Sequence, residues 1–287
     1  MDSLIVPDFD LALTIRSGQM FCYEALGEQE FVVVDTGRAF WVKQEGERLY
    51  FDGISKRKLV RYFDLDYRLD RFFKRLKKHH ALRPLLERYR GLRLVRQEPR
   101  QAILTFILSS NNNQKRIKRM VDALRGRHGQ ELVIRGTSAK TFPTRKSFAC
   151  DDDLAGLALG YRCVFIVGAD RRLTRGFLKK LNKLDYESQK QILQTLPGVG
   201  PKVADCAIAY STLRDGSAFP ADVWVRRALA AWFADEFRGK PFTDKNIAGF
   251  AQRAFGGDAT YAQQYLFLAA QELLRDHEVN SKSTHTR

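Results

Sequence analysis

The chain has 287 residues, with 49 lysines and arginines against 33 aspartates and glutamates, a formal charge of +16 and a pI near 9.8. That imbalance points to an acidic polymer as partner, although charge alone does not separate DNA from RNA or an anionic membrane surface. No apolar run approaches the ~20 residues that span a bilayer, no charged-then-apolar leader opens the chain, and the cysteines (Cys22, Cys150, Cys163, Cys206) stand far apart with no Cys-x-x-Cys. The spacing argues against a structural zinc, an iron–sulfur cluster or a disulfide framework, so reduced thiols and a soluble, unsecreted chain of two or three lobes are expected.

In chain order, Asp2 to Arg16 mixes apolar and acidic residues and leads into Ser17-Gly18-Gln19-Met20-Phe21, where the glycine marks a tight bend. Phe31–Val34, Phe40–Val42 and Leu49–Phe51 are short, β-branched or aromatic, and separated by Asp35-Thr36-Gly37 and Glu45-Gly46-Glu47, which predicts an antiparallel meander. Ser55 caps a basic amphipathic helix through Phe63, and Asp66 begins another through Lys78. The run Lys74-Arg75-Leu76-Lys77-Lys78 reads as a solvated face, with a DNA patch or a compartment signal as alternatives. Around Gly91 the character changes to long helices, and Glu98-Pro99 opens an almost wholly apolar one from Arg100 to Leu108 that should be buried. It ends at Ser109-Ser110-Asn111-Asn112-Asn113, and Lys115 to Arg119 starts the next helix. Three asparagines at a junction suit a capping cluster, but their amides beside Arg116 also suit base edges and phosphates.

A helix from Tyr186 to Thr195, a glycine hairpin (Leu196-Pro197-Gly198-Val199-Gly200) and a second helix opening at Pro201 follow. Gly198 and Gly200 allow left-handed angles and close approach, leaving amide N–H groups to face an anion, for which a phosphate is the obvious guest. Pro201 suits the first helical position and puts Lys202 in the first turn, where the positive end of the helix dipole disfavours a cation and would depress the lysine pKa. Such a free amine can act as a nucleophile, whereas the plainer readings are a solvated lysine and a hairpin that only clamps DNA backbone. Asp222, after Phe219-Pro220-Ala221 and before the apolar run Val223 to Leu229, reads as a helix N-cap. Thr243–Phe255 and Tyr261–Leu274 are two more helices, Gln263 and Phe267 share a face of the second, and a disordered tail is expected over Val279–Arg287. There is no internal repeat.

Leu196-Pro-Gly-Val-Gly-Pro-Lys-Val-Ala-Asp-Cys206 with Pro220-Ala-Asp-Val223 closely resembles the helix-hairpin-helix DNA glycosylases, and within them the 8-oxoguanine DNA glycosylases. The resemblance runs from Phe9 to about Leu274 and includes Ser17-Gly18-Gln19, the asparagine loop, Leu159-Gly160-Tyr161-Arg162 and Ala262 to Phe267. It implies an α+β fold: an N-terminal antiparallel sheet domain with helices, similar to the TATA-binding-protein fold, over residues 1–95, then a mostly helical glycosylase domain over 96–278 and the tail over 279–287.

The resemblance also implies the chemistry. Tyr161 would wedge into the stack and Asn111, Arg116 and Arg162 would meet the orphaned base, while the lesion swings into a pocket where Gly18 accepts from its N7–H, Gln263 reads its edge, and Cys206 and Phe267 flank it. Gly198, Val199 and Gly200 would hold a phosphate, helped by a cation on the carbonyls of Gln194, Leu196 and Val199; no redox or organic cofactor is implied. Lys202 would attack the sugar carbon and Asp222 would stabilise the developing positive charge, giving a Schiff base and β-elimination. Expected are a monomer acting on double-stranded DNA with an oxidised purine opposite C, in the nucleoid or the nucleus. Trp224 stands where the better-known members have histidine, and Tyr210 and Ala270 also depart from the pattern, which bears on base preference. The alternatives are a glycosylase for another base, such as an alkylated purine, with Lys202 incidental, and a hairpin module without chemistry.

Overall fold

The computed structural model describes residues 1–77, 79, 82–145, 147 and 154–274, and in it the expected meander is the centre of a larger sheet. Its strands β1 (Asp2–Ile5), β2 (Tyr23–Ala25), β3 (Glu30–Asp35), β4 (Arg38–Glu45) and β5 (Arg48–Asp52) lie in the order β1-β5-β4-β3-β2 with every neighbour antiparallel. The two edge strands carry little pattern to read: β1 has no buried residue and β2 has three residues, none of them buried. Central β3 is the opposite case, with Phe31, Val32, Val33 and Val34 all fully buried, which produces a continuous apolar run in place of alternation. A hairpin absent from the sequence-based expectation, β6 (Glu131–Ile134) with β7 (Thr137–Lys140), packs on β4 and β3, and the Arg135 guanidinium lies 4.4 Å from the Trp41 ring. Tyr62 and Phe63 bring their rings to Phe40 at 5.2 and 6.2 Å.

The β3–β4 turn docks this sheet onto the long buried helix, Pro99–Leu108. Thr36 has φ +60, unfavourable for a β-branched residue, and is held there because its N–H donates to Gln101 Oε1 at 2.6 Å, its hydroxyl donates to Glu98 Oε2 at 3.2 Å, and its carbonyl accepts from Phe142 N–H at 3.0 Å. Pro99 fits the first turn and Glu98 caps it, accepting from Gln101 N–H at 2.9 Å. The one charge within this helix, Arg100, is buried against Asp170 at 2.5 Å and donates also to the carbonyls of Pro143 and Thr144, so its desolvation is offset. Burial pushes the neighbouring Asp35 carboxyl up to about 6, against the Glu98 N–H bond that lowers it.

Two compact units emerge, one of Met1–Tyr67 with Gly91–Arg214, the other of Arg68–Arg90 with the chain from Asp215 onward. They do not follow the expected boundary between residues 95 and 96. The physical reason is that Pro99–Leu108 packs both on Arg162–Arg172 and on Pro201–Ala209, while Gln97 donates to the carbonyls of Gln19 at 2.8 Å and Tyr210 at 3.1 Å. Sheet and hairpin helices therefore share one core. The second unit is helical, with Leu69–Leu76, Arg83–Arg88, Val223–Trp232, Asp244–Phe255 and Ala259–Ala269, the last continuing as a π turn over Ala270–Leu274. Phe72 sits 5.5 and 5.4 Å from the Tyr261 and Tyr265 rings, and Phe219 stacks on Phe255 at 6.0 Å. In the basic run, Arg75 pairs with buried Asp258 and Lys77 with Glu87 at 3.5 Å, so it is more than a solvated face. Lys78, Cys150 and the tail 279–287 lie outside the described residues. Among the described residues no helix is long and apolar enough to cross a membrane.

Candidate nucleic-acid interface and candidate active site

The hairpin legs are Tyr186–Leu193, capped by Asp185 through Ser188 N–H at 2.9 Å, and Pro201–Ala209, opened by proline. Between them Val199 N–H donates to the Leu196 carbonyl at 3.2 Å, one of the carbonyls expected around a cation. Gly198 has φ +75, and a Cβ there would lie 2.6 Å from Phe165 Cβ, so conformation and space both demand glycine. Gly200 is different: at φ −86 and ψ −179 it is extended, and a Cβ would meet nothing within 4 Å. The expectation of left-handed angles thus holds for Gly198 and is corrected for Gly200. Its bare backbone leaves open surface at a helix N-terminus, where the first N–H groups have no intrahelical acceptor. Pro197 rests on Gly168 of Arg162–Arg172, where a Cβ would lie 3.1 Å from Pro197 Cγ.

Two lysines mark the legs. Lys190, on the first, donates to Asp205 Oδ2 at 2.9 Å and to the Tyr186 hydroxyl at 3.2 Å, while that hydroxyl donates to Asp205 Oδ1 at 2.7 Å. Lys202, on the second, is half-buried; its Nζ donates to Ser109 Oγ at 3.0 Å and lies 5.8 Å from the Phe106 ring centroid. The Ser109 hydroxyl donates to the Phe106 carbonyl at 2.6 Å, so towards Lys202 it presents only lone pairs. Among the described residues Lys202 makes no ion pair. Cys206, one turn further along the same helix, is buried, as is Tyr210, whose ring lies 5.5 Å from Phe106.

The asparagines divide their work. Asn112 Nδ2 donates to the Leu108 carbonyl at 2.8 Å, closing one helix, and Asn113 Oδ1 accepts from Arg116 N–H at 2.9 Å, opening Gln114–His128. Asn111 is exposed with φ +52, and the Arg116 side chain is exposed too. Tyr161 is 54% exposed and stands edge-on to Phe165 at 5.9 Å. Arg162 is held by backbone carbonyls. It is 4% exposed, lies 4.4 Å from the Tyr161 ring, and donates to the carbonyls of Ser110 and Leu159, the latter at 3.2 Å. The Ser110 carbonyl follows a helix end and lacks an intrahelical partner, so the guanidinium fork finds it and ties the Tyr161 loop to the asparagine loop. Gly18 has φ +83 between two braced residues: Ser17 donates to Thr14 O at 2.8 Å, and Gln19 donates to Arg93 O at 2.8 Å.

In the second unit Asp222 is the N-cap of Val223–Trp232, its Oδ1 accepting from Val225 N–H at 2.9 Å. Gln263 is buried and Phe267 half-buried, one turn apart on Ala259–Ala269. Arg227 lies 4.9 Å from the Trp224 ring, and buried Ala270 begins the π turn. Sequence reasoning missed Ser109 and Asp205 as partners. Ser109 sits 93 residues from Lys202, and no local pattern reports such a pair.

Two helices joined by this glycine turn form a helix-hairpin-helix motif, the class of DNA-binding fold to which the site belongs. Residues 4–103 match the family described as 8-oxoguanine DNA glycosylase, N-terminal domain. The chain is 31% identical over 297 residues to a probable N-glycosylase/DNA lyase of Methanothermobacter thermautotrophicus, covering 91% of this chain and 93% of the relative. Among solved structures it is similar to the Clostridium acetobutylicum 8-oxoguanine glycosylase/lyase bound to double-stranded DNA containing cytosine opposite 8-oxoguanine, with a TM-score of 0.84, 27% identity and 92% of each chain covered. The 3-methyladenine DNA glycosylase of Archaeoglobus fulgidus shares the fold, with a TM-score of 0.78 at 20% identity over 95% of this chain and 99% of that one. The chain belongs to the 8-oxoguanine DNA glycosylase/lyase family of helix-hairpin-helix proteins.

Proposed function

We propose that this chain removes 8-oxoguanine from duplex DNA, preferring cytosine opposite, and nicks the resulting site by β-elimination through a Schiff base on Lys202. The observation that carries the proposal is the Lys202 amine held by the Ser109 hydroxyl at 3.0 Å beside the DNA-type hairpin, with no carboxylate taking it up as an ion pair among the described residues. In the step proposed, the amine lone pair forms a bond to C1′ as the bond from C1′ to the base nitrogen breaks, and the base leaves with a proton. The sugar ring then opens to an iminium on Lys202. Loss of a C2′ proton breaks the C3′–O bond, giving a 5′-phosphate on one side and an unsaturated aldehyde on the other, and water frees the lysine. Asp222 is assigned the positive charge that builds on the sugar.

Borohydride trapping on a duplex with 8-oxoguanine tests the nucleophile: a covalent adduct forms with the wild type and vanishes in Lys202→Gln, and an undiminished adduct puts the nucleophile elsewhere. Cleavage opposite C, A, G and T tests the base preference. Arg162, with exposed Arg116, is the expected reader, so Arg162→Ala or Arg116→Ala should weaken the preference for C, and equal wild-type rates opposite all four would remove that role.

A further inference from the structure

A cavity of about 940 Å³ is lined by none of the residues assigned to excision. It lies wholly within the first unit, among β3, β4, the helix Lys56–Tyr62, the start of Pro99–Leu108 and the helix Arg175–Leu181. Ser109 and Lys202 meet at the other end of Pro99–Leu108, about 15 Å away along its ten residues. The volume falls within the roughly 300–1,000 Å³ of small-molecule sites.

Its lining has two parts. Ile54 and Leu178, both half-buried, supply an aliphatic floor, backed by Phe40, Tyr62 and Leu173, each 4% exposed or less. Around it stand Arg38, Lys58, Arg61, Arg145, Arg175 and Lys179, all exposed and, among the described residues, none in an ion pair. Two other cations of the lining are already neutralised, Arg96 by Asp64 at 2.9 Å and Arg100 by Asp170 at 2.5 Å. The two carboxylates there are occupied by backbone amides: Asp35 accepts from Glu98 N–H and Glu98 from Gln101 N–H, each at 2.9 Å. Six like charges collected around one hollow repel one another until a polyanion sits among them. A polyanion alone would not need an apolar floor.

We infer that this recess binds a nucleoside polyphosphate, its base against the Ile54 and Leu178 floor and its phosphates among Arg61, Arg175 and Lys179. A hollow with an apolar floor fits a compact ligand carrying one flat base, whereas a duplex backbone would seek an open ridge of cations.

Calorimetric titration of the full chain with ATP, without DNA, tests this, beside inorganic tripolyphosphate and two double variants. Expected are one ATP per chain, at least threefold tighter binding of ATP than of tripolyphosphate, and at least tenfold weaker ATP binding in Arg61→Ala/Lys179→Ala. Lys240→Ala/Lys245→Ala, equal in charge removed but distant in sequence and in the other unit, should bind ATP as the wild type does. Circular dichroism confirms that both variants fold; each replaces only exposed side chains. No ATP binding, equal binding of tripolyphosphate, or an equal loss in both double variants would overturn the inference. So would displacement of ATP by a short undamaged duplex whose own affinity falls in Arg61→Ala/Lys179→Ala, which would make the recess a DNA contact.

Discussion

The two legs of the hairpin carry lysines with opposite fates. Lys190 is locked to buried Asp205, with the Tyr186 hydroxyl completing the triangle, whereas the Lys202 amine meets a hydroxyl whose own proton is committed to the Phe106 carbonyl. A carboxylate partner stabilises ammonium and holds the legs together; a hydroxyl acceptor fixes the nitrogen without binding its proton by charge. The same helix pair thus separates a lysine held by a carboxylate from one held by a hydroxyl.

The widest break in that comparison is loss of chemistry without loss of fold, as Lys202→Gln should show by abolishing the trapped adduct. Next is Asp222→Asn. Asparagine caps a helix as well as aspartate, so chemical denaturation should register less than about 0.5 kcal/mol of change, while single-turnover excision should slow by about 10²–10³ if the charge matters. A fall in stability with unchanged excision would reduce Asp222 to its cap. Lys190→Met should do the reverse of Lys202→Gln: removing one partner of the buried pair costs about 3 kcal/mol in a urea melt, yet the folded fraction should still trap on borohydride.

The hairpin glycines sharpen the same contrast. Gly198→Ala, with φ +75 and Phe165 in the way, should lose about 1–3 kcal/mol. Gly200→Ala should shift stability by less than about 1 kcal/mol and show instead in fluorescence anisotropy as weaker duplex binding. Equal duplex affinity would mean that the open surface at Gly200 faces no backbone. The smallest effect is that of Ser109. Ser109→Ala should slow trapping about tenfold, the equivalent of one hydrogen bond, and Ser109→Thr should restore it; if threonine fails as alanine does, the hydroxyl is not what positions the amine.

The site was legible where chemistry lies close together in sequence. Glycine, proline and lysine spacing revealed the hairpin and Lys202, and the Gln263–Phe267 pair was visible as one helical turn. The contact of Arg162 with the Ser110 carbonyl was not legible, because that partner lies 52 residues away, outside any local window. Edge strands β1 and β2 were missed because an exposed edge carries no alternation, and β6 and β7 because neither face pattern was strong: their residues alternate between exposed and intermediate with one buried position, Ala139.

By itself the sequence determined the family, the hairpin, the nucleophile candidate and the buried helix, because each is written in short-range spacing and residue type. Only the tertiary structure decided which lysine receives a carboxylate, which glycine is conformationally required, and that the sheet and the hairpin helices share a core. Those outcomes depend on side chains tens of residues apart meeting in a packed interior, where an unpartnered buried charge is too costly to keep.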